Sequence, residues 1–276
     1  MKKKLALILA GTAMAAMVLA GCGEKNNASG EDVKTAESVE DKKTFTVGFD
    51  AEYPPYGYMD ENGEYTGFDL ELAEAVCKLE GWELVKKPLN WDSKDMELNS
   101  GSIDCIWNGF TMNGREDDYT FSTPYVDNSQ VIVVAEKSGI DTLEDLAGKT
   151  VGVQAASAAL DLLQSEEEGG QKKLADTFGA LNEFADYNTA FTELQAGALD
   201  ALAIDVGVAN YQIKSRGEGY KILDETLNTE QYAIGFKKGN QELCDVVNAD
   251  LKKLTEDGTV AKLAEKYEIC LLYTSP

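Results

Sequence analysis

The chain contains no histidine and only two arginines, Arg115 and Arg216, among 276 residues. Without histidine there is no imidazole to act as general base, to activate a serine or cysteine nucleophile, or to supply the commonest metal ligand. Cys77, Cys105, Cys244 and Cys270 show no C-x-x-C spacing, which removes the usual zinc frame. No metal and no cofactor are therefore expected. Cys77 and Cys105 fall on apolar faces and read as small core residues, whereas Cys244 and Cys270 are the pair a disulfide could join in an exported protein. No stretch beyond the N-terminus is long and apolar enough to span a bilayer. Positive charge is short as well. The formal net charge is −24, and −27 once three N-terminal lysines are removed, a surface that repels nucleic acid and anionic lipid.

Scarce arginine makes each one informative. The chain covers itself with 23 lysines, so a guanidinium is seldom incidental. That group is planar, stays charged and grips a carboxylate through two parallel hydrogen bonds. Arg115 follows an apolar strand at 103–107 and a Gly-containing turn that carries Thr111, where a pocket would hold a small anionic group. The competing reading is an exposed pair with Glu116, Asp117 or Asp118, which is common and weak.

The first 22 residues read as a targeting segment. Lys2-Lys3-Lys4 precede an apolar stretch from Leu5 to Val18 and the sequence Leu19-Ala20-Gly21-Cys22. That ending resembles the bacterial lipobox, in which Cys22 would be lipidated and become the mature N-terminus; an ordinary signal peptide is the alternative. Residues 23–43 are polar and free of aromatics and read as a disordered tether. About 225 residues follow, enough for one large domain or two smaller ones.

Along that span strands alternate with helices, which indicates parallel α/β sheets. Thr44 to Phe49 alternates as a strand and ends in a loop, Asp50 to Tyr58, made rigid by Pro54 and Pro55. Asp69 is expected to cap a helix bearing Leu72, Ala73, Val76 and Leu79, with Gly81 stopping it. Strands are expected at Leu84–Pro88, Val131–Val134, Ala201–Ile204 and Tyr232–Phe236, and two amphipathic helices over 241–267. A restart at Gly148 to Val153 suggests two lobes. Ligands in α/β proteins bind beyond the carboxyl ends of strands. Asp50, Asn108 to Arg115, Gln154 to Ala158, and Asp205 all lie just after predicted strands and could face one cleft.

A free α-amino acid needs a bidentate cation and NH donors for its carboxylate, and an anion for its ammonium. Arg115 can supply the first and Asp205 the last. Gly109 and Ala155-Ala156-Ser157 let backbone NH groups approach, Thr111 adds a hydroxyl, and Tyr53, Tyr56 and Trp91 can serve as aromatic walls. Each has an ordinary structural alternative: loop packing for the tyrosines, core for Trp91 and Trp107, and a helix cap for Asp205.

Taken in order, these stretches closely resemble the solute-binding proteins of bacterial ABC importers for polar amino acids. The resemblance covers about residues 44 to 269. It rests on Phe49-Asp50-Ala51-Glu52-Tyr53-Pro54-Pro55-Tyr56, Gly67-Phe68-Asp69-Leu70-Glu71-Leu72-Ala73, Asn108-Gly109-Phe110-Thr111 with Arg115, Phe121-Ser122-Thr123-Pro124-Tyr125, and Leu143 to Val153. It implies the type II periplasmic-binding-protein fold: two α/β lobes, each a mostly parallel sheet flanked by helices, with the ligand between them. The first lobe is expected over 44–135, the second over 136–230, and a return through the hinge to the first lobe over 231–270. Residues 271–276 read as a tail outside the fold. Arg115 matches the family's carboxylate-binding arginine and Asp205 its ammonium-binding acid. Asp50, Tyr53 and Trp91 match side-chain pocket positions, Asn108, Gly109 and Thr111 first-lobe polar contacts, and Ser157 the second-lobe loop.

Two departures stand out. The step from Thr111 to Arg115 is one residue shorter than the family's, and the second-lobe loop reads Ala156-Ser157-Ala158 where glycine and two hydroxyls are usual. The implied protein is a monomer anchored by Cys22 to the outer face of the bacterial cytoplasmic membrane. It would capture an amino acid, polar or cationic in view of Asp50 and Glu52, and deliver it to permease subunits, with no catalysis. A dehydratase on the same fold and a sensory receptor domain are the alternatives.

Overall fold

The computed structural model describes residues 39–217 and 219–271. The expected signal segment with Cys22, and all but the last five residues of the expected tether, lie outside them.

The first half of the described chain runs β1 (Thr44–Phe49), β2 (Glu52–Tyr53), β3 (Gly57–Met59), β4 (Tyr65–Thr66), α1 (Phe68–Glu80), β5 (Glu83–Pro88), α2 (Lys94–Ser100), β6 (Cys105–Ile106), β7 (Tyr119–Phe121) and β8 (Val126–Ala135). Then follow β9 (Thr150–Gln154), α3 (Ala158–Gln164), α4 (Lys172–Ala175), β10 (Ala180–Phe184), α5 (Tyr187–Ala196), β11 (Ala201–Asp205), α6 (Val206–Arg216), β12 (Tyr220–Ile222), β13 (Asn228–Tyr232), β14 (Gly235–Lys237), α7 (Gln241–Glu256) and α8 (Thr259–Tyr267). The first lobe's sheet has the order β5-β1-β6-β14-β7 and the second's β10-β9-β11-β8-β12, with β13 also on β8.

Each sheet is mixed rather than mostly parallel. β1 lies parallel to β5 and β6, and β9 parallel to β10 and β11. The strands next to the lobe crossings, β8 and β14, run antiparallel to their neighbours. β8 is hydrogen-bonded into the second sheet from its first residues, so the lobe change expected after residue 135 comes before Val126.

Two neighbouring connections join the lobes, Ser122 to Tyr125 and Ala233-Ile234. They are tied together by Ser122 N–H to the Ile234 carbonyl at 3.0 Å, Ile234 N–H to Ser122 Oγ at 2.9 Å, and Tyr125 N–H to the Tyr232 carbonyl at 3.0 Å. The run Tyr232–Phe236, expected as one strand, is therefore broken at 233–234, where the chain changes lobe. Leu271 is no loose tail residue: it bridges Val126 beside the hinge and is buried.

Helix α1 forms as its apolar spacing requires, burying Phe68, Leu72, Ala73, Val76 and Cys77, and Gly81 ends it in the left-handed conformation. Its N-cap is Gly67, not Asp69. Gly67 has φ +132°, and a Cβ there would lie 2.3 Å from the Tyr56 carbonyl oxygen, so no other residue fits. All four described cysteines are unpaired: Cys77, Cys105 and Cys244 are buried and Cys270 is exposed, so the Cys244–Cys270 disulfide is not formed. Among the described residues no helix is long and apolar enough to cross a membrane.

Candidate functional site

The carboxyl ends of β1, β6, β9 and β11 point their following loops at the gap between lobes. Eight of the ten expected ligand residues line one cavity there: Tyr53, Trp91, Asn108, Gly109, Thr111, Arg115, Ser157 and Asp205. The lobes are drawn together, and the cavity is about 10 Å³, room for roughly one water molecule.

Arg115 lines the cavity from the first lobe. It does not pair with Glu116, Asp117 or Asp118. Its NH2 donates to Asp161 Oδ2 at 2.6 Å, across the cleft on α3, and its guanidinium lies 5.1 Å from the centre of the Phe110 ring. The short turn after Thr111 is closed by Arg115 N–H to the Met112 carbonyl at 3.0 Å, which brings the guanidinium into the cleft despite the missing residue. Lys94 stands beside it, 5% exposed, with Nζ 3.5 Å from the Ala156 carbonyl and 5.4 Å from the Trp91 ring centre. Burial lowers the pKa of this lysine.

Asp205 lines the same cavity from the last residue of β11. It occupies the N-cap position of α6 but makes no capping bond. Three donors converge on its Oδ1 instead: Gln130 Nε2 at 2.6 Å, Tyr232 Oη at 2.6 Å and Asn128 Nδ2 at 2.8 Å. Burial raises its pKa.

The loop 108–111 forms the first-lobe wall. Gly109 has φ +56°, and a Cβ would come within 3.0 Å of the Tyr53 and Tyr232 rings, so glycine is required for both reasons. Its N–H donates to Asp69 Oδ2 at 2.6 Å. Asn108 Oδ1 accepts from Asp50 N–H at 2.8 Å, and Thr111 Oγ1 donates to Glu230 Oε1 at 2.8 Å. On the second lobe Ser157 Oγ accepts from Leu160 N–H at 3.2 Å and caps α3. Ala156 stands at φ +54°, a left-handed conformation that favours the glycine this loop departs from.

Two expected residues are placed differently. Tyr56 is buried behind the wall, its ring edge-on to Tyr232 at 5.2 Å and its hydroxyl against Gly207, so it packs the site rather than lining it. Asp50 lines a neighbouring groove together with Glu52, Trp91, Glu97 and Asp186. It accepts from Glu52 N–H at 2.8 Å and, across the cleft, from Gln154 Nε2 at 2.7 Å. Desolvation outweighs those bonds and pushes it up to about 6, with Asp186 and Glu52 adding repulsion. Phe110, Gln154 and Ala158, from the two loops expected to face the cleft, also line the cavity, whereas Asp161 and Glu230, which touch its residues, are not among the residues the sequence points to. Among the described residues no acidic or cysteine cluster could hold a metal.

The buried acids set a pH dependence. Asp69, 0% exposed, is held up to about 7 by desolvation, and Asp50 at about 6. Both folded pKa values exceed the unfolded one, so their contribution to stability is full below about pH 4 and is lost as pH rises through 6 and 7. The exposed Asp60, Asp145 and Asp257 are lowered by their hydrogen bonds and act oppositely, losing stability only as pH falls below about 4. The melting temperature is therefore expected to peak near pH 5 and to fall by pH 8. A melting series showing equal or higher stability at pH 8 would contradict this.

A two-lobed α/β molecule with Arg115 and the buried Asp205 on one interlobe cavity carries there a cation and an acid, the groups a small zwitterion calls for. The chain belongs to the bacterial extracellular solute-binding proteins, family 3, whose description matches residues 45–269. It is 30% identical over 257 residues to the L-cystine-binding protein TcyJ of Escherichia coli K12, covering 92% of each chain. It is 33% identical over 271 residues to the arginine-binding extracellular protein ArtP of Bacillus subtilis 168, covering 97% of this chain and 98% of that one. Among solved structures, an ABC uptake transporter substrate-binding protein from Streptococcus pneumoniae with bound histidine matches with TM-score 0.76 and 33% identity. That match covers 81% of this chain and 92% of that one.

Proposed function

We propose that this chain is a lipid-anchored extracytoplasmic receptor that captures a free amino acid by lobe closure and delivers it to an ABC transporter permease. One observation carries the reading: Arg115 and Asp205 line the same small cavity, with Tyr53 and Trp91 as its aromatic surfaces. The α-carboxylate is assigned to Arg115 and the α-ammonium to Asp205, with Asn108, Gly109, Thr111 and Ser157 as further polar contacts. The side chain then extends past Trp91 toward Asp50 and Glu52, where a groove with four carboxylates favours a polar or cationic group. Cystine, arginine and histidine, named for its relatives, are the first ligands to try.

Closure needs contacts that exist only when the lobes meet. Gln154 to Asp50, Arg115 to Asp161 and Asn188 to Glu52 are three of them. A ligand touching both lobes adds to that set and shifts the population toward the closed form. The carboxylates at the site are engaged by amides and hydroxyls, which suits binding without chemistry. Attachment to the membrane rests on the sequence around Cys22.

A thermal-shift screen over the twenty amino acids and cystine tests the assignment. Ligand at a hundred times its dissociation constant is expected to add about 2.7 kcal/mol of apparent stability. A cooperative melt that no amino acid moves would overturn the reading. So would conversion of any of them to product by the purified protein.

A further inference from the structure

Asp205 has an acidic neighbour that the sequence did not reveal. Glu230 on β13 is 4% exposed and Asp205 3%. Asn128 Nδ2 donates to both Asp205 Oδ1 and Glu230 Oε1 at 2.8 Å, and Gln130 Nε2 donates to the same two oxygens at 2.6 and 2.8 Å. Two oxygens bonded to one nitrogen at those lengths lie no more than about 5.4 Å apart.

Among the described residues no cation is bonded to the pair: Lys94 and Arg115 line a pocket with Glu230, but Lys94 lies against Asp95 and the Ala156 carbonyl and Arg115 is paired with Asp161. Every other bond to the pair comes from a neutral donor: Thr111 Oγ1 to Glu230, Tyr232 Oη to Asp205, and the Asn228 amide to Glu230. Tyr53 from β2, Tyr56 from the loop after it, Tyr187 from α5 and Tyr232 from β13 face the pair, and burial keeps their hydroxyls protonated far beyond neutral pH. Arg115 lines the cavity with Asp205, but its guanidinium is held by Asp161, and Asp50 lies beyond Gln154. Among the described residues no lysine or arginine nitrogen forms an ion pair with either acid. The side-chain oxygens of Asn128 and Gln130 are themselves buried and have no partner. The cluster thus has an excess of acceptors and a shortage of hydrogens. Two adjacent buried carboxylates in such a place do not both ionise; they share a proton.

We propose that Asp205 and Glu230 hold one proton between them, and that the ligand's cationic group displaces it on arriving at Asp205. The balance is simple. A carboxylic acid, a carboxylate and an ammonium become two carboxylates and an ammonium, and one proton leaves for the solvent. Glu230 acts here as a positioning residue that sets the protonation of Asp205. The inference rests on the proposed placement of the ligand's ammonium at Asp205.

Calorimetry of L-arginine, L-histidine and L-cystine binding at pH 7, run in phosphate and in Tris, measures the proton directly. The observed heat is expected to vary with the buffer's ionisation enthalpy by an amount equal to release of about one proton per ligand. In Glu230→Gln, Asp205 loses its acidic neighbour, and the buffer dependence is expected to vanish. Binding with equal heats in both buffers would overturn the proposal while leaving the binding function intact. So would an unchanged proton count in the variant. If the variant does not fold, the wild-type affinity between pH 5 and 7 decides, with about a tenfold gain per pH unit expected and a flat profile overturning it. A protein that melts cooperatively but binds none of the three nor any other amino acid would overturn the function and this inference together.

Discussion

Replacing Arg115 by alanine is expected to weaken ligand binding by about 2–4 kcal/mol, roughly a 30- to 1,000-fold rise in dissociation constant. A ligand carboxylate there would lose its paired donors and keep only neutral groups and the neighbouring Lys94 ammonium, so much of its desolvation would go uncompensated. Arg115→Lys should fall between the two, because an ammonium keeps the charge but not the paired donors. The fold should tolerate the change. The Arg115 side chain is 13% exposed, and its one ion pair is with Asp161, itself 62% exposed. A second contrast locates the effect: amino-acid amides, which carry no carboxylate, should lose little affinity on the same substitution. Titration calorimetry giving equal dissociation constants for wild type and Arg115→Ala would remove the assignment.

Asp69→Ala is expected to be the most damaging change outside the cleft. Asp69 is fully buried in the first turn of α1 and accepts from Gly109 N–H at 2.6 Å and from Tyr125 Oη at 2.8 Å. Alanine strands both buried donors, at about 1–3 kcal/mol each. For a chain of this size that corresponds to roughly 5–15 °C in melting temperature. The loss is also local to function. Gly109 carries the first-lobe wall of the cavity, and Tyr125 sits in the crossing between lobes, so affinity should fall along with stability. Asp69→Asn keeps an acceptor of the same shape and should be milder, with the acid-side stability maximum reduced. An unchanged melting temperature in Asp69→Ala would mean the loop is held by other bonds.

Asp69 also shows where the sequence stops being legible. Its local setting, before an apolar helical repeat, has the look of a cap, and nothing nearby reveals that its partners lie 40 and 56 residues away. The helix itself was readable, because Leu72, Ala73 and Val76 repeat at helical spacing and Gly81 ends them. The break at Ala233-Ile234 was not, since Tyr232 to Phe236 reads as one unbroken apolar run and the change of lobe leaves no compositional mark. The same contrast runs through the candidate site. Arg115, Asp205, Trp91 and the loop 108–111 follow strands and differ in type from the lysine-rich surface, so they could be picked out. Asp161 and Glu230 are two among 49 acidic residues, and only their three-dimensional neighbours distinguish them. Tyr56 and Tyr53 lie three residues apart in one rigid loop, and sequence alone does not tell which turns inward.

The strand order carries a consequence for synthesis. Every strand of the second sheet comes from residues 126–232, so that lobe is complete once the ribosome has passed Tyr232. The first sheet is not, although it begins the chain. Its strand β14, residues 235–237, lies between β6 and β7, and until it emerges those two have no neighbour to join them. The lobe made second is the first that can finish folding, and the lobe made first waits, with an open slot in its sheet, for nearly the last strand of the chain.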